Sequence, residues 1–233
     1  MADASARLVL WDIDGTLLQS GGVGAEVFDR AIERAVGSRP PARITMSGKT
    51  DPQICREHLG LLDLEDPDAH IPAVLGYLAE ELAAREATIT EEGHVLPGVE
   101  RALETLGRAE WCHQSVLSGN LAANALVKLR AFSLERFLDT DNGAYGSDNA
   151  DRNKLVPLAL ERSATRRGVQ YEPGAVWVIG DSPNDLACAR AGGVRCALVA
   201  TGRFGPDELS ALGPDACFND LADTEALVSV LRS

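Results

Sequence analysis

The stretch Leu8-Val9-Leu10-Trp11-Asp12-Ile13-Asp14-Gly15-Thr16 sets an apolar run directly against two aspartates that flank a single isoleucine. A short apolar run that ends in turn residues predicts a buried strand. Two carboxylates this close together are costly at a strand end unless a cation lies beside them. A solvated turn is the alternative, because Asp and Gly are common turn residues. Taken alone, the stretch fits both interpretations.

Three more short apolar runs lie at residues 114–117, 175–179 and 196–200, and a weaker one covers residues 216–218. They alternate with segments whose apolar residues recur every three or four positions, which is the period of a helix packed on one face. This alternation is typical of an α/β protein with a parallel sheet. We therefore predict a Rossmann-like parallel sheet core with helices on both faces.

Polar clusters follow two of these later runs. Ser118-Gly119-Asn120 comes after the second, and Gly180-Asp181-Ser182-Pro183-Asn184-Asp185 comes after the third. Because parallel sheets bind ligands beyond the carboxyl ends of their strands, we expect the polar clusters to converge on one place. Gathered carboxylate oxygens suit Mg²⁺, which takes a few protein oxygens and keeps several waters. With a metal shielding it, one carboxylate can attack phosphorus and form an acyl-phosphate.

The long segment between the first two strands is almost entirely helical in its pattern. Residues 28–35 and 71–82 carry apolar side chains at the i, i+3, i+4, i+7 spacing of an amphipathic helix. A crossover between parallel strands needs only about a dozen residues. We therefore predict a helical domain at residues 19–95, inserted into a core domain of residues 1–18 and 96–233. One long crossover of the core domain is the alternative.

The composition argues against several classes of partner. The 233 residues include 22 Lys and Arg against 35 Asp and Glu, for a formal net charge of −13. This acidity argues against binding to nucleic acid or to an anionic membrane, since both need a basic surface. The five cysteines have no paired spacing, which indicates buried thiols in a reducing compartment. No apolar run approaches the roughly 18 residues of a membrane span. We expect a soluble, cytoplasmic protein.

The motifs in combination resemble those of a known family. Asp12-Ile13-Asp14-Gly15-Thr16 is similar to the DxDGT motif of the haloacid dehalogenase-like (HAD) hydrolase superfamily. The stretch from Gly180 to Asp185 is similar to its acidic motif GDxxxD, and Ser118 stands where the family has its Ser/Thr motif. The inserted helices look like the family's C1 cap, and the tail from Val199 to Leu209 looks like that of phosphoglycolate phosphatase-like members. The resemblance covers nearly the whole chain and implies a hydrolase that uses Mg²⁺.

The resemblance also implies a role for each motif residue. Asp12 would be the nucleophile and a metal ligand. Asp14 would protonate the leaving alcohol and then activate water, and its backbone carbonyl would touch the metal. Asp181 would be the second carboxylate ligand, with Asp185 supporting it from close by or through water. Phosphoryl oxygens would be held by Ser118 and by backbone N–H groups, where transition-state charge develops. The residues expected beside the substrate in these motifs are Gly15, Thr16, Gly119 and Asn120.

The family further requires one basic residue that offsets the phosphate charge. The chain has only three lysines, Lys49, Lys128 and Lys154. Lys154 stands at the start of a predicted helix, which is the expected place, but the usual proline after it is missing. Arg152 lies two residues earlier and is slightly favoured, and both residues stay candidates.

The polar loop Ser47-Gly48-Lys49-Thr50-Asp51 is the part of the insertion that could contact the rest of the substrate. Lys49 and Thr50 are the candidate substrate-binding residues in it, and Lys49 suits a second anionic group. Plain helix capping by Thr50 or Asp51 is an equal alternative.

The leading functional interpretation is a Mg²⁺-dependent phosphatase that hydrolyses a small-molecule phosphate monoester through an aspartyl-phosphate. A phosphosugar mutase on the same scaffold keeps both aspartates and is an open alternative. A phosphonate hydrolase would need a lysine in the cap, for which Lys49 is the only candidate. A non-catalytic protein that binds a phosphorylated ligand is disfavoured, because none of the four motif positions is visibly lost.

Overall fold

A computed structural model describes residues 6–233, so the first five residues of the predicted core segment 1–18 lie outside the described residues. Numbered along the chain, the strands are β1 (Arg7–Trp11), β2 (Leu18–Gln19), β3 (His94–Val95), β4 (Cys112–Ser118), β5 (Asp139–Tyr145), β6 (Val176–Gly180), β7 (Arg195–Val199) and β8 (Ala216–Phe218). Six of them form one sheet in the order β5-β4-β1-β6-β7-β8. Each neighbouring pair in this sheet runs parallel.

Helices cover both faces of the sheet. The helices are α1 (Val23–Val36), α2 (Asp51–Leu59), α3 (Ile71–Ala83), α4 (Glu86–Glu92), α5 (Val99–Gly107), α6 (Ala122–Ala131), α7 (Leu155–Arg167), α8 (Pro183–Ala191), α9 (Pro206–Ala211) and α10 (Thr224–Arg232). Val9 and Trp11 of β1 pack in a layer with α5, α6 and α10. Leu8 and Leu10 pack in the opposite layer with α7, α8 and α9, since successive side chains of a strand point to opposite faces. The predicted α/β fold is confirmed. Within residues 6–233, no helix is both long and apolar enough to cross a membrane.

The predicted strands coincide with β1, β4, β6, β7 and β8 to within two residues at each end. The sequence pattern does not predict β5, whose first half is Asp139-Thr140-Asp141-Asn142. This strand lies at the edge of the sheet, and none of those four residues is buried. An edge strand with an exposed first half needs no continuous apolar run, so the usual signal is missing.

Helices α1–α4 lie between β2 and β3 and surround an apolar core of their own. Members of this core include Phe28, Ile32, Val74, Leu78 and Leu82. Both stretches with helical spacing in the sequence fall in helices, α1 and α3. β2 and β3 pair antiparallel, so the chain enters and leaves this insertion side by side. Hereafter "the insertion" means residues 19–95, and its status as a separate domain remains a prediction.

The sheet order brings the three predicted motifs together. β1 pairs with β4 on one side and with β6 on the other. The carboxyl ends of these three central strands are followed by Asp12, Gly119 and Asp181, respectively. This edge is where a parallel sheet binds its ligands.

Candidate active site

Asp12 follows β1 and is almost completely buried, with 5% of its surface exposed. Its Oδ1 accepts a hydrogen bond from Arg152 Nη2 at 2.8 Å. The same nitrogen donates to Asp185 Oδ1 at 2.5 Å. One buried guanidinium therefore bridges two buried carboxylates. A charged guanidinium is tolerated away from water here because its charge is paired and its Nη2 is hydrogen-bonded to both carboxylates.

Arg152, and not Lys154, reaches this site. Both belong to a short 3₁₀ helix, Arg152–Lys154, which Asp151 caps by accepting a hydrogen bond from the Asn153 N–H at 3.0 Å. With three residues per turn, side chains two positions apart point in directions that differ by about 240°. Arg152 is buried and Lys154 is exposed. The geometry therefore favours Arg152 as the basic residue.

Three buried carboxylates form a cluster that fits a divalent cation. Oxygen atoms of Asp12, Asp181 and Asp185 all lie within 4.8 Å of one another. Burial raises the pKa of Asp12 to about 7, against the opposing charge of Arg152. Burial and the charge of Asp185 raise the pKa of Asp181 to about 8. Asp181 Oδ1 is buried and has no hydrogen-bond partner among the described residues. Mg²⁺ would supply the missing partner and offset the repulsion.

The Asp181 carboxylate lies against two glycines, Gly15 and Gly202. A Cβ added at Gly15, which has φ +86°, would lie 2.6 Å from Asp181 Oδ2. A Cβ added at Gly202 would lie 1.7 Å from the same oxygen. Both distances are far shorter than a van der Waals contact. A side chain at position 15 or 202 would therefore displace the Asp181 carboxylate, so both positions need glycine.

Asp185 supports the cluster from α8. Its Oδ2 accepts hydrogen bonds from the N–H and the hydroxyl of Ser182, at 3.0 and 2.6 Å. Its Oδ1 accepts from Arg152. Because both oxygens already accept bonds from the protein, this geometry favours a supporting role for Asp185 over direct contact with a metal.

Asp14 has a different set of partners. Lys128 Nζ donates to Asp14 Oδ1 at 2.8 Å and to Oδ2 at 2.6 Å. Asn120 Nδ2 donates to Asp14 Oδ2 at 2.7 Å and to Ser118 Oγ at 2.8 Å. Lys128 also donates to Asn120 Oδ1 at 2.7 Å. The predicted residues Asp14, Ser118 and Asn120 thus share one hydrogen-bond network, and this network includes a lysine that the motifs do not contain.

Lys128 and its neighbour Asn124 are the residues that the sequence analysis missed. They are four positions apart on α6 and so share one face of that helix. Both are buried, with 6% and 2% of their surface exposed. The only sequence pattern that points to these two residues is the spacing of Asn120, Asn124 and Lys128 at four-residue intervals. Such a polar face usually contacts solvent, so the spacing alone would not have identified a site.

The insertion contacts the core at the start of α2. Asp51 N–H donates to the Gly119 carbonyl at 2.8 Å, and Asp51 Oδ2 accepts from the Leu121 N–H at 2.8 Å. A Cβ at Gly119 would lie 2.0 Å from the Lys49 carbonyl oxygen. Because the insertion approaches the core this closely, only glycine fits at position 119. Burial raises the pKa of Asp51 to about 6, against the opposing charge of Lys128.

A cavity of about 320 Å³ lies between the insertion and the strand ends. From the core it is lined by residues that include Asp12, Asp14, Gly15, Ser118, Gly119, Asn120, Lys128, Arg152, Asp181 and Arg203. From the insertion it is lined by residues that include Gln19, Ser20, Phe28, Met46, Lys49 and Ile54. Its floor is charged and its insertion side is partly apolar, which suits a small molecule with one strongly anionic end.

Three residues expected beside the substrate or phosphate lie away from this cavity. Lys154 is exposed, whereas Thr16 and Thr50 are completely buried, and none of the three lines the cavity. The Thr50 hydroxyl accepts from the Gln53 N–H at 3.3 Å and donates to the Ala150 carbonyl at 2.6 Å. Thr50 therefore caps α2, which is the second of the two alternatives for it. Lys49 does line the cavity, where its ammonium is paired with Glu57.

Similarity to known proteins agrees with this site. A pair of aspartates beside a carboxylate cluster at the ends of parallel strands is the arrangement expected of the hydrolase class that the sequence motifs indicate. A sequence model of the haloacid dehalogenase-like hydrolase family matches residues 9–190, and the chain belongs to this family. The predicted enzyme class, a phosphoric monoester hydrolase, is confirmed together with the family.

Curated relatives and solved structures resemble the chain over different lengths. A phosphoglycolate phosphatase of Cereibacter sphaeroides is 29% identical over 201 residues, which cover 83% of this chain and 85% of that protein. A plasmid-encoded phosphoglycolate phosphatase of Cupriavidus necator is 31% identical over 140 residues, covering 60% of this chain and 58% of that protein. The crystal structure of CbbY from Rhodobacter sphaeroides in complex with phosphate has the same fold. Its TM-score is 0.71 at 19% identity, over 94% of this chain and 96% of that chain.

Proposed function

We propose that this protein is a Mg²⁺-dependent phosphatase that hydrolyses a small, anionic phosphate monoester through an aspartyl-phosphate on Asp12. The observation that carries the proposal is the pairing of two unlike aspartates in one cavity. Asp12 is buried and held by a guanidinium, and Asp14 faces the cavity with 40% of its side chain exposed. The first suits a fixed nucleophile and the second suits a group that exchanges protons.

In the first step, an Asp12 carboxylate oxygen attacks phosphorus and the bond from phosphorus to the ester oxygen breaks. Asp14, in its protonated form, gives its proton to that departing oxygen, so the product leaves as an alcohol. The phosphoryl group is then an acyl-phosphate on Asp12. Ser118 and the Gly119 N–H are the donors we assign to the phosphoryl oxygens, where charge develops.

In the second step, the ionised Asp14 takes a proton from a water molecule as that water attacks phosphorus. The bond from phosphorus to the Asp12 oxygen breaks, inorganic phosphate is released and the Asp12 carboxylate is restored. Asp12 and Asp181, with the Asp14 carbonyl, would hold Mg²⁺, which supplies positive charge that offsets the phosphoryl oxygens. Arg152 keeps the Asp12 carboxylate in one orientation through both turnover steps.

The substrate assignment comes from the cavity and from the relatives. A volume of about 320 Å³ accommodates a small metabolite, and the insertion covers it as a cap at residues 19–95. Curated relatives are named phosphoglycolate phosphatase. We therefore take phosphoglycolate as the first candidate among small anionic esters, with the Lys49–Glu57 pair at its carboxylate end.

The direct test is release of inorganic phosphate from a panel of small phosphate esters that includes phosphoglycolate. It is run with Mg²⁺ and again with excess chelator. We expect release only with Mg²⁺, and trapping of a phosphorylated protein after rapid acid quench. Activity that persists in chelator would contradict the metal-dependent mechanism. Phosphate transfer to a second sugar phosphate that outpaces release to water would instead identify a mutase.

A further inference from the structure

Lys128 is the one buried lysine among residues 6–233. Of the other two, Lys49 pairs with Glu57 at the cavity wall and Lys154 is exposed. An ammonium group has three N–H donors. Those of Lys128 have three acceptors within hydrogen-bond distance, Asp14 Oδ1 at 2.8 Å, Asp14 Oδ2 at 2.6 Å and Asn120 Oδ1 at 2.7 Å. All three donors are therefore in use, and none is left to bind a phosphoryl oxygen.

The partners of Lys128 belong to the reaction cavity, not to the apolar core. Asp14, Asn120 and Lys128 all line the cavity. Burying a lysine costs several kcal/mol unless the charge is paired. The charge of Lys128 is paired by a carboxylate that itself lines the reaction cavity, and this location points to a use in the reaction.

We propose that Lys128 is a positioning residue that fixes the Asp14 carboxyl in the orientation from which it exchanges protons with the substrate and with water. Contacts to both carboxyl oxygens prevent the carboxyl group of Asp14 from rotating about its Cβ–Cγ bond. Asn120 adds a second donor to Asp14 and also reaches Ser118, so the proton-transfer group and a phosphoryl-binding hydroxyl share one network. This inference rests on the proposed role of Asp14.

The positive charge of Lys128 also acts on a second buried carboxylate, that of Asp51. Asp51 of α2 is 4% exposed, and its Oδ2 lies 3.4 Å from Asn124 Nδ2 on the same helix face as Lys128. The charge of Lys128 acts on Asp51 as well as on Asp14. Attraction to a second buried carboxylate adds to the direct contacts with Asp14 in holding the ammonium in place, as a positioning residue requires.

The test compares leaving groups in the first chemical step. Single-turnover release of glycolate from phosphoglycolate and of nitrophenol from para-nitrophenyl phosphate is measured for wild type, Lys128→Met and Asp14→Asn. An alkyl ester needs its leaving oxygen protonated, whereas nitrophenolate leaves without help. We expect Lys128→Met to slow glycolate release by about 10²-fold and nitrophenol release by less than about fivefold, with KM little changed. Arg130→Met removes an exposed cation from the same helix and is the matched control, with wild-type rates expected.

Non-additivity provides the second readout. If Lys128 acts through Asp14, the double variant should be no slower than Asp14→Asn alone. Equal losses for both esters, or additive losses in the double variant, would overturn the proposal. If Asp14→Asn itself shows no preference between the esters, the proposed function fails, and that result is distinct. Lys128→Gln replaces Lys128→Met if the latter does not fold, and failure of both to fold would assign Lys128 to stability and overturn the positioning role.

Discussion

Two aspartates only two residues apart are held by different cations in different surroundings. We call Asp12 with Arg152, Asp181 and Asp185 the Asp12 side, and Asp14 with Asn120 and Lys128 the Asp14 side. On the Asp12 side, both partners of the ion pair are at most 7% exposed. On the Asp14 side, the lysine is 7% exposed but the aspartate is 40% exposed. The proposed nucleophile is thus enclosed, and the proposed proton-transfer group stays open to the cavity.

Under the proposed mechanism, this difference would let one short motif serve two tasks. A buried carboxylate is poorly solvated and keeps one orientation, as a nucleophile must. A half-exposed carboxylate can gain and lose protons at each turnover. The residue between them, Ile13, is completely buried and anchors the motif to the core. Substitutions on the two sides should therefore fail in different ways.

The largest effect is expected from Asp12→Asn. The variant keeps the shape of the side chain but removes the attacking oxygen and a proposed metal ligand together. Turnover should fall by roughly four orders of magnitude or more. Steady-state phosphate release measures this, and circular dichroism checks that the fold is retained. A variant that folds and still hydrolyses esters at more than a few per cent of the wild-type rate would remove Asp12 from the mechanism.

The next effect is expected from Arg152→Ala, with Lys154→Ala as its matched control. Loss of the guanidinium leaves two buried carboxylates unpaired, which costs on the order of 3 kcal/mol in the free energy of unfolding. It should also lower kcat/KM by about 10²-fold to 10³-fold, because Asp12 loses its fixed orientation. Lys154→Ala should leave both quantities near wild type, because Lys154 is exposed.

Urea denaturation and kcat/KM together test the Arg152 assignment. Severe and similar losses in both variants would show that residues 152–154 do not hold the turn that separates the two side chains.

The two sides also differ in how far the sequence predicts them. Asp12 and Asp181 are predictable because each directly follows an apolar run, and the carboxyl ends of parallel strands meet at one edge. Lys128 is not predictable in the same way, because it reaches Asp14 from the middle of a helix 114 positions away. Its contact depends on how α6 packs on the sheet, which is a tertiary property. The same holds for Asp51, whose loop predicts helix capping but not its contact with the Gly119 carbonyl.

A smaller effect, on stability, is expected from Asp51→Asn. Burial raises the pKa of Asp51 to about 6, above its usual value of 3.8. Between these two pH values the folded state binds more protons than the unfolded state, so this group makes the protein less stable as pH rises from about 4 to about 6. The loss reaches up to about 3 kcal/mol by pH 7, at roughly 1.4 kcal/mol per pKa unit. Asp51→Asn should abolish this component.

The difference between variant and wild type isolates the Asp51 contribution from the other titrating groups. Relative to wild type, Asp51→Asn should be more favourable at pH 7 than at pH 4.5, as measured by urea denaturation at both pH values. Asp63→Asn changes an exposed aspartate of the insertion and should show no such difference. A pH-independent difference for Asp51→Asn would show that the carboxyl is not buried, and so that the insertion does not contact the core at Gly119 and Leu121 as described.

The smallest effect is expected at Lys49, which tests the insertion side of the cavity. Lys49 lines the cavity and its ammonium is paired with Glu57, so only part of its charge is available to a substrate. Lys49→Ala should raise KM for phosphoglycolate by about fivefold to tenfold, or roughly 1 kcal/mol, and change KM for para-nitrophenyl phosphate less than about twofold. Glu57→Gln releases the ammonium from its partner and should lower KM for phosphoglycolate. Opposite signs in the two variants, confined to the ester with a second negative charge, would identify Lys49 as the group that binds the distal anion. If both esters respond alike, Lys49 shapes the insertion and does not contact the substrate. The second negative charge of the substrate would then have to be bound from the core, where Arg203 also lines the cavity.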